Sequence, residues 1–503
     1  MNLRSLIIPP IASLLASKQV MTQEAAYNVQ IKTLSRILAT KANTASRKEC
    51  TIGQSITNYT AFRNNIPLQT YEDLAPYIQR IQQGEKDVLW PRKPRYFAKT
   101  SGTTSGSKYI PVTKDSIANH LQGARHTLLH YIHHTKDVSF LKCGRKMLFL
   151  SGSPQLEKEY GIPTGRLSGI VNHHIPFYIR GHYLPTYATN CITDWEQKID
   201  RIVEETLPKD LSVIAGIPPW IQMYFDKLQH KTGKPIGEIF PNLSLLIHGG
   251  MRFAPYKERL LRSIGRNITT LETYAASEGF IAYQNIPDEE GLLLQLNSGI
   301  FFEFIPLADT ASLASATRLH IGNVAIGVDY AIVVSTNAGL LAYLIGDIVR
   351  FISLDPPKII VTGRVQQFIS AFGEHVIVEE IEKAMTNALT QHPNVTVREY
   401  MVAPQIGQRN GAPSYHEWLI DFENPPADMQ AFASAIDACM CKQNSYYNDL
   451  IKGNVLASLQ ITALQPEAFV TYMRAAGKLG EQNKIVRVAN DRAIADQLLA
   501  YSV

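Results

Sequence analysis

Residues 211–233 read LSVIAGIPPWIQMYFDKLQHKTG. The stretch opens as a short apolar run with the character of a buried strand and breaks at Ile217-Pro218-Pro219. It continues with apolar residues at helical spacing until Gly233, a C-terminal stop signal. The same grammar extends in both directions. Upstream, KMLFLSGS (146–153) is a strand running into a loop, and DWEQKIDRIVEETL (194–207) is a helix. Downstream, LSLLIHGG (243–250) and ITTLETYAASEG (268–279) each lead from a strand into glycine. Short apolar strands alternating with longer helices predict an α/β domain with ligand loops at strand ends.

Beyond about residue 290 the pattern changes. GLLLQLNSGIFFEFIPL, NVAIGVDYAIVVSTNAGLLAYLIGD and VRFISL are closely spaced strand-like runs, read as a more antiparallel β region that completes a large domain. After Arg364, helices and strands alternate again, with EYMVAP and HEWLIDF as strands. The fold expected is therefore α/β: a large N-terminal domain of mixed sheets plus a β region over 1–364, and a smaller α+β C-terminal domain over 365–503. Helices are also expected at about Gln23–Ala42 and Thr70–Glu85.

Composition narrows the function. The 503 residues exceed one compact core, and 45% apolar with 18% charged residues is a globular balance. The net charge of +5 is spread thinly, with no Lys/Arg run suited to nucleic acid. Five scattered cysteines do not form a disulfide framework, and the Cys439-x-Cys441 pair reads as small residues on a helix. The N-terminal MNLRSLIIPPIASLLASK is interrupted by Pro9 and Pro10, and is read as a segment packed on the domain. No apolar window reaches bilayer length, so a cytoplasmic protein with no membrane or nucleic-acid partner is expected.

Between Thr100 and Lys108 lies TSGTTSGSK. Glycines bring backbone N–H groups close to an anion, hydroxyls add donors, and lysine adds charge. The spacing is not that of a Walker P-loop, leaving either another phosphate cradle or a Ser/Thr-rich surface turn. Three further stretches bear on the choice: TYAASEG (273–279), YLIGD (343–347) and TGR (362–364). In this order they resemble the adenylate-forming, firefly-luciferase-like superfamily. With FAKTSGTTSGSKYIPVT, GIPPW, FFEFIP, GRVQQFISAFGEH and GKLGEQNKIVRV, the resemblance narrows to the GH-three (auxin-responsive promoter) family of acyl acid–amido synthetases, bacterial type.

That resemblance implies an ATP- and Mg2+-dependent ligase that joins a carboxylic acid to an amino acid or other amine through an acyl adenylate. Ser101, Gly102, Thr103, Thr104 and Ser105 would hold the phosphates with Lys108 nearby. Tyr274 would line the adenine or ribose side, with Gly249 and Gly250 against the adenine. Ser277 would bond the nucleotide, Glu278 would hold Mg2+, Asp347 would accept from the ribose, and Arg364 would contact the nucleotide near a hinge. Lys484 would be the lysine of a mobile small domain that reaches the phosphates. Leu344, Ser370 and His375 depart from the choices expected of the family. An acyl-CoA ligase using the same adenylate, or a non-catalytic nucleotide-binding relative, is the alternative.

The histidines stand apart. His126, His130, His133 and His134 include an i,i+4 pair, a spacing open to metal or to a helix face lining the acyl pocket or solvent; no H-E-x-x-H occurs. His173, His174, Tyr178 and Arg180 are further candidates for the acyl pocket, Arg180 as a carboxylate partner.

Overall fold

The computed structural model describes residues 3–49, 58–100, 108–250, 253–306, 316–364, 368–369, 371–374, 376–407, 413–476 and 487–503. Two compact units are present, one from Met1–Thr100 with Lys108–Val365 and one including Gln366–Val503. In chain order the strands of the first unit are β1 (Tyr96–Thr100), β2 (Lys108–Val112), β3 (Arg145–Phe149), β4 (Glu157–Glu159), β5 (Ile162–Gly165), β6 (Tyr183–Leu184), β7 (Asp210–Gly216) and β8 (Leu245–Gly249). They continue as β9 (Thr269–Ala276), β10 (Gly279–Tyr283), β11 (Leu292–Leu294), β12 (Ile300–Pro306), β13 (Leu319–His320), β14 (Asp329–Thr336), β15 (Tyr343–Leu354) and β16 (Pro357–Arg364).

Twelve of these strands form one sheet, ordered β13-β12-β14-β15-β16-β11-β10-β9-β8-β7-β3-β6. From β6 to β9 every pairing is parallel; from β9 to β13 every pairing is antiparallel. The antiparallel region is thus the other half of the same sheet. The change happens at β9, because Ser277 and Glu278 reverse the chain in a two-residue turn, whereas parallel neighbours need a crossover.

The parallel half is covered on both faces, which is why its strands read as apolar runs. Leu148, Ile214 and Leu246 pack against the helices Trp195–Thr206, Pro218–Thr232 and Ala254–Ile264. Met147, Val213, Leu245 and Leu271 pack on the other side with Tyr131 and Ile132 of helix Lys114–Thr135 and Ala12 of helix Leu3–Ser17. Local signals fix the helix ends: Asp194 accepts from the Gln197 N–H, and Gly233 closes its helix at φ +68°. The helices expected near 23–42 and 70–85 run Gln23–Lys41 and Tyr71–Gln82. A second sheet, β2-β1-β5-β4, carries the hairpin whose strands end at Thr100 and begin at Lys108.

In the second unit β17 (Phe368–Ile369) pairs with β18 (Val376–Ile377). Here β19 (Thr396–Gln405), β20 (Tyr415–Asn424) and β21 (Gln460–Leu464) form a three-stranded sheet. Helix Met429–Gln443 carries both Cys439 and Cys441. Among the described residues no helix is long and apolar enough to cross a membrane.

Candidate functional site

Strands β9 and β15 carry the first polar contact between distant motifs. The Tyr274 hydroxyl donates to Asp347 Oδ2 at 2.6 Å. Four strand intervals separate β9 from β15 in the sheet order, about 19 Å if the sheet were flat. The hydrogen bond therefore requires the sheet to curl on itself, and the apolar filling of the curl is Phe302, Phe304, Tyr330, Ile332 and Phe351. Asp347, 5% exposed, does not end its strand as the sequence suggested. Gly346 at φ +96° makes an irregularity between the pairs Val333↔Leu344 and Ala331↔Ile348, and the strand continues to Leu354. Across β15 and β16, Asp347 is paired with Arg364.

Glu278 lies in the two-residue turn after β9, beside the half-buried Ser277. The buried Tyr343 hydroxyl bonds to the Glu278 carboxylate; burial first, and the Glu278 charge second, hold that phenol well above its usual range. Tyr343 also feels Tyr71, whose hydroxyl accepts from the Tyr109 N–H at 2.8 Å. Lys108 Nζ sits 5.4 Å above the Tyr71 ring. Lys108 and Glu278, two residues singled out in the sequence, are thus linked through Tyr71 and Tyr343, while Tyr274 and Asp347 meet directly. Tyr343 stood inside the quoted YLIGD, but its distance from Tyr71 in sequence hid the contact.

Two more groups join them. Glu272 precedes Tyr274 by two residues and shares its face of β9; burial pushes its carboxyl up to about 7. His248 pairs with Glu272 across β8 and β9, stacks on Phe253 at 3.7 Å, and is lowered by burial to about 3. The glycines at the end of β8 have internal reasons. A Cβ on Gly249 would lie 2.3 Å from the Thr273 carbonyl oxygen, and Gly250 adopts φ +81°.

The histidine candidates sit elsewhere. His126 and His130 are buried on helix Lys114–Thr135 with their rings 6.1 and 5.5 Å from Tyr283. Burial holds them down to about 4 and about 3, and neither ring nitrogen of His130 has a hydrogen-bond partner among the described residues. His173 Nε2 meets the Pro154 carbonyl at 2.8 Å, and His174 Nε2 meets the Tyr96 hydroxyl at 3.1 Å. The exposed Arg180 donates to the Ile175 carbonyl. Among the described residues no set of three or more His, Cys, Asp or Glu side chains is placed to hold a metal. A divalent cation at Glu278 would take its remaining ligands from phosphate oxygens and water, the coordination Mg2+ favours. Ser101, Gly102, Thr103, Thr104, Ser105, Ser370, His375 and Lys484 lie outside the described residues, as do the side chains of Tyr178 and Arg364.

Comparison with known proteins agrees with this geometry on the fold. Jasmonoyl–L-amino acid synthetase JAR4 of Nicotiana attenuata is 24% identical over 396 residues, 66% of this chain and 67% of its own. The structure of AtGH3.15 acyl acid amido synthetase in complex with 2,4-DB aligns with a TM-score of 0.61 at 18% identity, over 98% of this chain and 96% of that one. 2-Hydroxyisobutyryl-CoA ligase, in complex with 2-HIB-AMP and CoA, aligns with a TM-score of 0.58 at 13% identity, over 95% and 92%. Along the sequence, residues 16–192 match the GH3 family N-terminal domain, 293–364 the GH3 family central domain and 379–493 the GH3 family C-terminal domain. With the three domains of one family met in succession, the chain belongs to the GH3 family.

Proposed function

We propose that the chain is an ATP-dependent acyl acid–amido synthetase. The observation that carries the reading is the Tyr274–Asp347 hydrogen bond, which joins two of the motifs on which the family resemblance rests. In the first half-reaction a carboxylate oxygen attacks the α-phosphorus of ATP, and the bond to pyrophosphate breaks. In the second, an amine nitrogen attacks the acyl carbon, AMP leaves with the bonding electron pair, and the amine loses its proton. AMP is the activated leaving group, so the protein contributes placement and electrostatics rather than a covalent intermediate. The name of the JAR4 relative joins an acid to an amino acid, which supports an amino acid as acceptor.

Each residue then has a task. Asp347, held by the Tyr274 hydroxyl, accepts from the ribose, and the Tyr274 ring offers a flat apolar face to the base. Gly249 and Gly250 lie toward the adenine, and Ser277 bonds the nucleotide. Glu278, fixed by Tyr343, would hold Mg2+, which when bound neutralises phosphate charge. Ser101, Gly102, Thr103, Thr104 and Ser105, with Lys108, hold the phosphates, and Arg364 contacts the nucleotide. His173, His174, Tyr178 and Arg180 are the candidates for the acyl side, whereas His126 and His130 pack against Tyr283. Domain 365–503 moves relative to 1–364 between the half-reactions, bringing Lys484 to the phosphates for the first.

The test is ATP–pyrophosphate exchange over diverse carboxylic acids, followed by mass spectrometry with pooled amino acids. Acid-dependent exchange and an amide product are expected. K484A should cripple exchange while leaving amide formation from supplied acyl adenylate largely intact; equal loss of both contradicts the two-state account. The fold likeness to a CoA ligase favours one second reading, thioester formation. Product formed with CoA, and none with amino acids, would establish it. Exchange at background with every acid would point to a non-catalytic relative.

A further inference from the structure

Strands β1 and β2 run side by side up to the register pair Thr100↔Lys108, which brackets residues 101–107 in the sequence. One residue back from that point, Lys99 and Tyr109 form a register pair, so their side chains share a face of the hairpin. Both end on one carboxylate. Lys99 Nζ lies 3.0 Å from Glu159 Oε1, and the Tyr109 hydroxyl donates to Glu159 Oε2 at 2.7 Å. The triad is closed by Lys99 Nζ lying 5.8 Å from the Tyr109 ring centre. Burial would raise the Glu159 carboxyl, but the hydrogen bonds from Tyr109 and Lys99 and the Lys99 charge hold it below its usual range.

Glu159 is not a neighbour of β1 or β2. It belongs to the edge strand β4, with β5 lying between β4 and β1. Its position is set by a two-residue turn, Tyr160-Gly161, in which both residues have positive φ, +54° and +76°. A tyrosine at positive φ is an unfavourable choice for such a turn, where Asn or Gly is the ordinary one. Here the Tyr160 ring packs edge-on to Tyr109 at 6.3 Å. On the same residue, the Tyr109 backbone N–H is held by the Tyr71 hydroxyl. The roots of the segment are therefore fixed by side chains from two other elements. Stability alone does not account for the cluster: Lys99 and Glu159 are 38% and 21% exposed, and ion pairs of that kind add little to stability.

We propose that Glu159 is a positioning residue for nucleotide binding, tying the two strands together immediately outside segment 101–107 through Lys99 and Tyr109. The proposal rests on the amido-synthetase reading, in which that segment holds the phosphates. Its sensitivity follows from geometry, because small misplacements of binding groups cost large factors in rate or affinity.

The experiment compares wild type, E159L, E159Q, Y109F, K99M and Y109F/E159L. It measures the ATP dependence of acid-driven pyrophosphate exchange, direct ATP binding by calorimetry, and melting temperature. In E159L the KM for ATP and the ATP dissociation constant should both rise about tenfold, with kcat changed less than about threefold. E159Q should recover part of the loss, since its amide oxygen still accepts from Tyr109. Y109F/E159L should be no worse than E159L, because the two act through one contact. An unchanged KM and ATP affinity overturns the proposal. So does a fall in kcat that tracks a lower melting temperature, or an additive double variant. Should E159L not fold, K99M and Y109F carry the same test, with a raised KM in both expected and an unchanged KM in both overturning. A wild-type chain that binds no ATP overturns the synthetase reading along with this one; wild-type binding with unaffected variants removes this proposal alone.

Discussion

Two faces of one hairpin, β9–β10, hold tyrosines of opposite character. On one face Tyr274 gives its hydroxyl to Asp347, four strands away in the sheet order, with Glu272 and His248 alongside. On the other, Tyr283 is buried against His126 and His130, and neither nitrogen of His130 has a hydrogen-bond partner among the described residues. Both faces are rich in titratable groups, and burial perturbs both. The difference is convergence. The first set draws side chains from several strands to one point, as binding of a polar ligand requires. The second comes from one helix packed on one strand, and among the described residues His126 Nδ1 and both His130 nitrogens meet no hydrogen-bond partner.

The comparison breaks most readily at Asp347. Its replacement by alanine should lower kcat/KM for ATP in pyrophosphate exchange by roughly 30- to 100-fold, the loss of a hydrogen bond to a charged group plus an orphaned partner. Y274F, which keeps the ring and removes the donor, should cost roughly tenfold in the same assay. A variant of either kind with wild-type exchange would remove that face from the site. The opposite face should behave in reverse. H130L replaces a ring whose nitrogens have no hydrogen-bond partner among the described residues by an apolar side chain, and at pH 7.5 should raise stability by about 1 kcal/mol in denaturant titration, with exchange little changed.

The pH dependence sharpens the same contrast. The folded His130 is depressed to about 3, so between the unfolded value near 6.5 and that point the unfolded chain binds the extra proton. Stability contributed by the neutral ring is therefore present above about 6.5 and is lost as pH falls toward 3. His126 and His120, each held down to about 4 by burial, act in the same direction. Glu303, pushed up to about 7 mainly by burial, acts in the opposite sense, its contribution being lost as pH rises through 7. Melting of H130L should accordingly show a shallower fall between pH 6.5 and 4 than wild type. Parallel curves would mean that His130 is already protonated in the fold.

Much of the architecture was legible because periodicity reports burial. The helix after Pro218 and the strand before it follow directly from residues 211–233, and Gly233 occupies the left-handed position its place suggested. What could not be read was partnership. The apolar runs after residue 290 announce strands, but nothing local in them states that β16 pairs with β11, or that β9 is both the last parallel strand and the first antiparallel one. The site shows the same limit. Tyr274, Glu278 and Asp347 were visible as motif residues, whereas Tyr71, Tyr343, Glu272 and His248 matter through neighbours far away in sequence. The i,i+4 spacing of His126 and His130 correctly implied a shared helix face, but it could not say that Tyr283 was waiting opposite.

The narrow join between β11 and β16 within the large sheet bears on how the protein folds. Strand β11 is three residues long and meets β16 through only the pairs Leu292↔Ile359 and Leu293↔Lys358, after the chain has travelled out through β12–β15 and back. That excursion is a long loop, whose closure is costly in chain entropy and slow. The parallel βα half and the β12–β16 meander each have local pairings that can form first, so their zippering at β11 comes late. Tyr274 stands on one side of the join and Asp347 on the other. A chain caught partway can therefore have native-like secondary structure in both halves and still lack the contact on which nucleotide binding is proposed to depend.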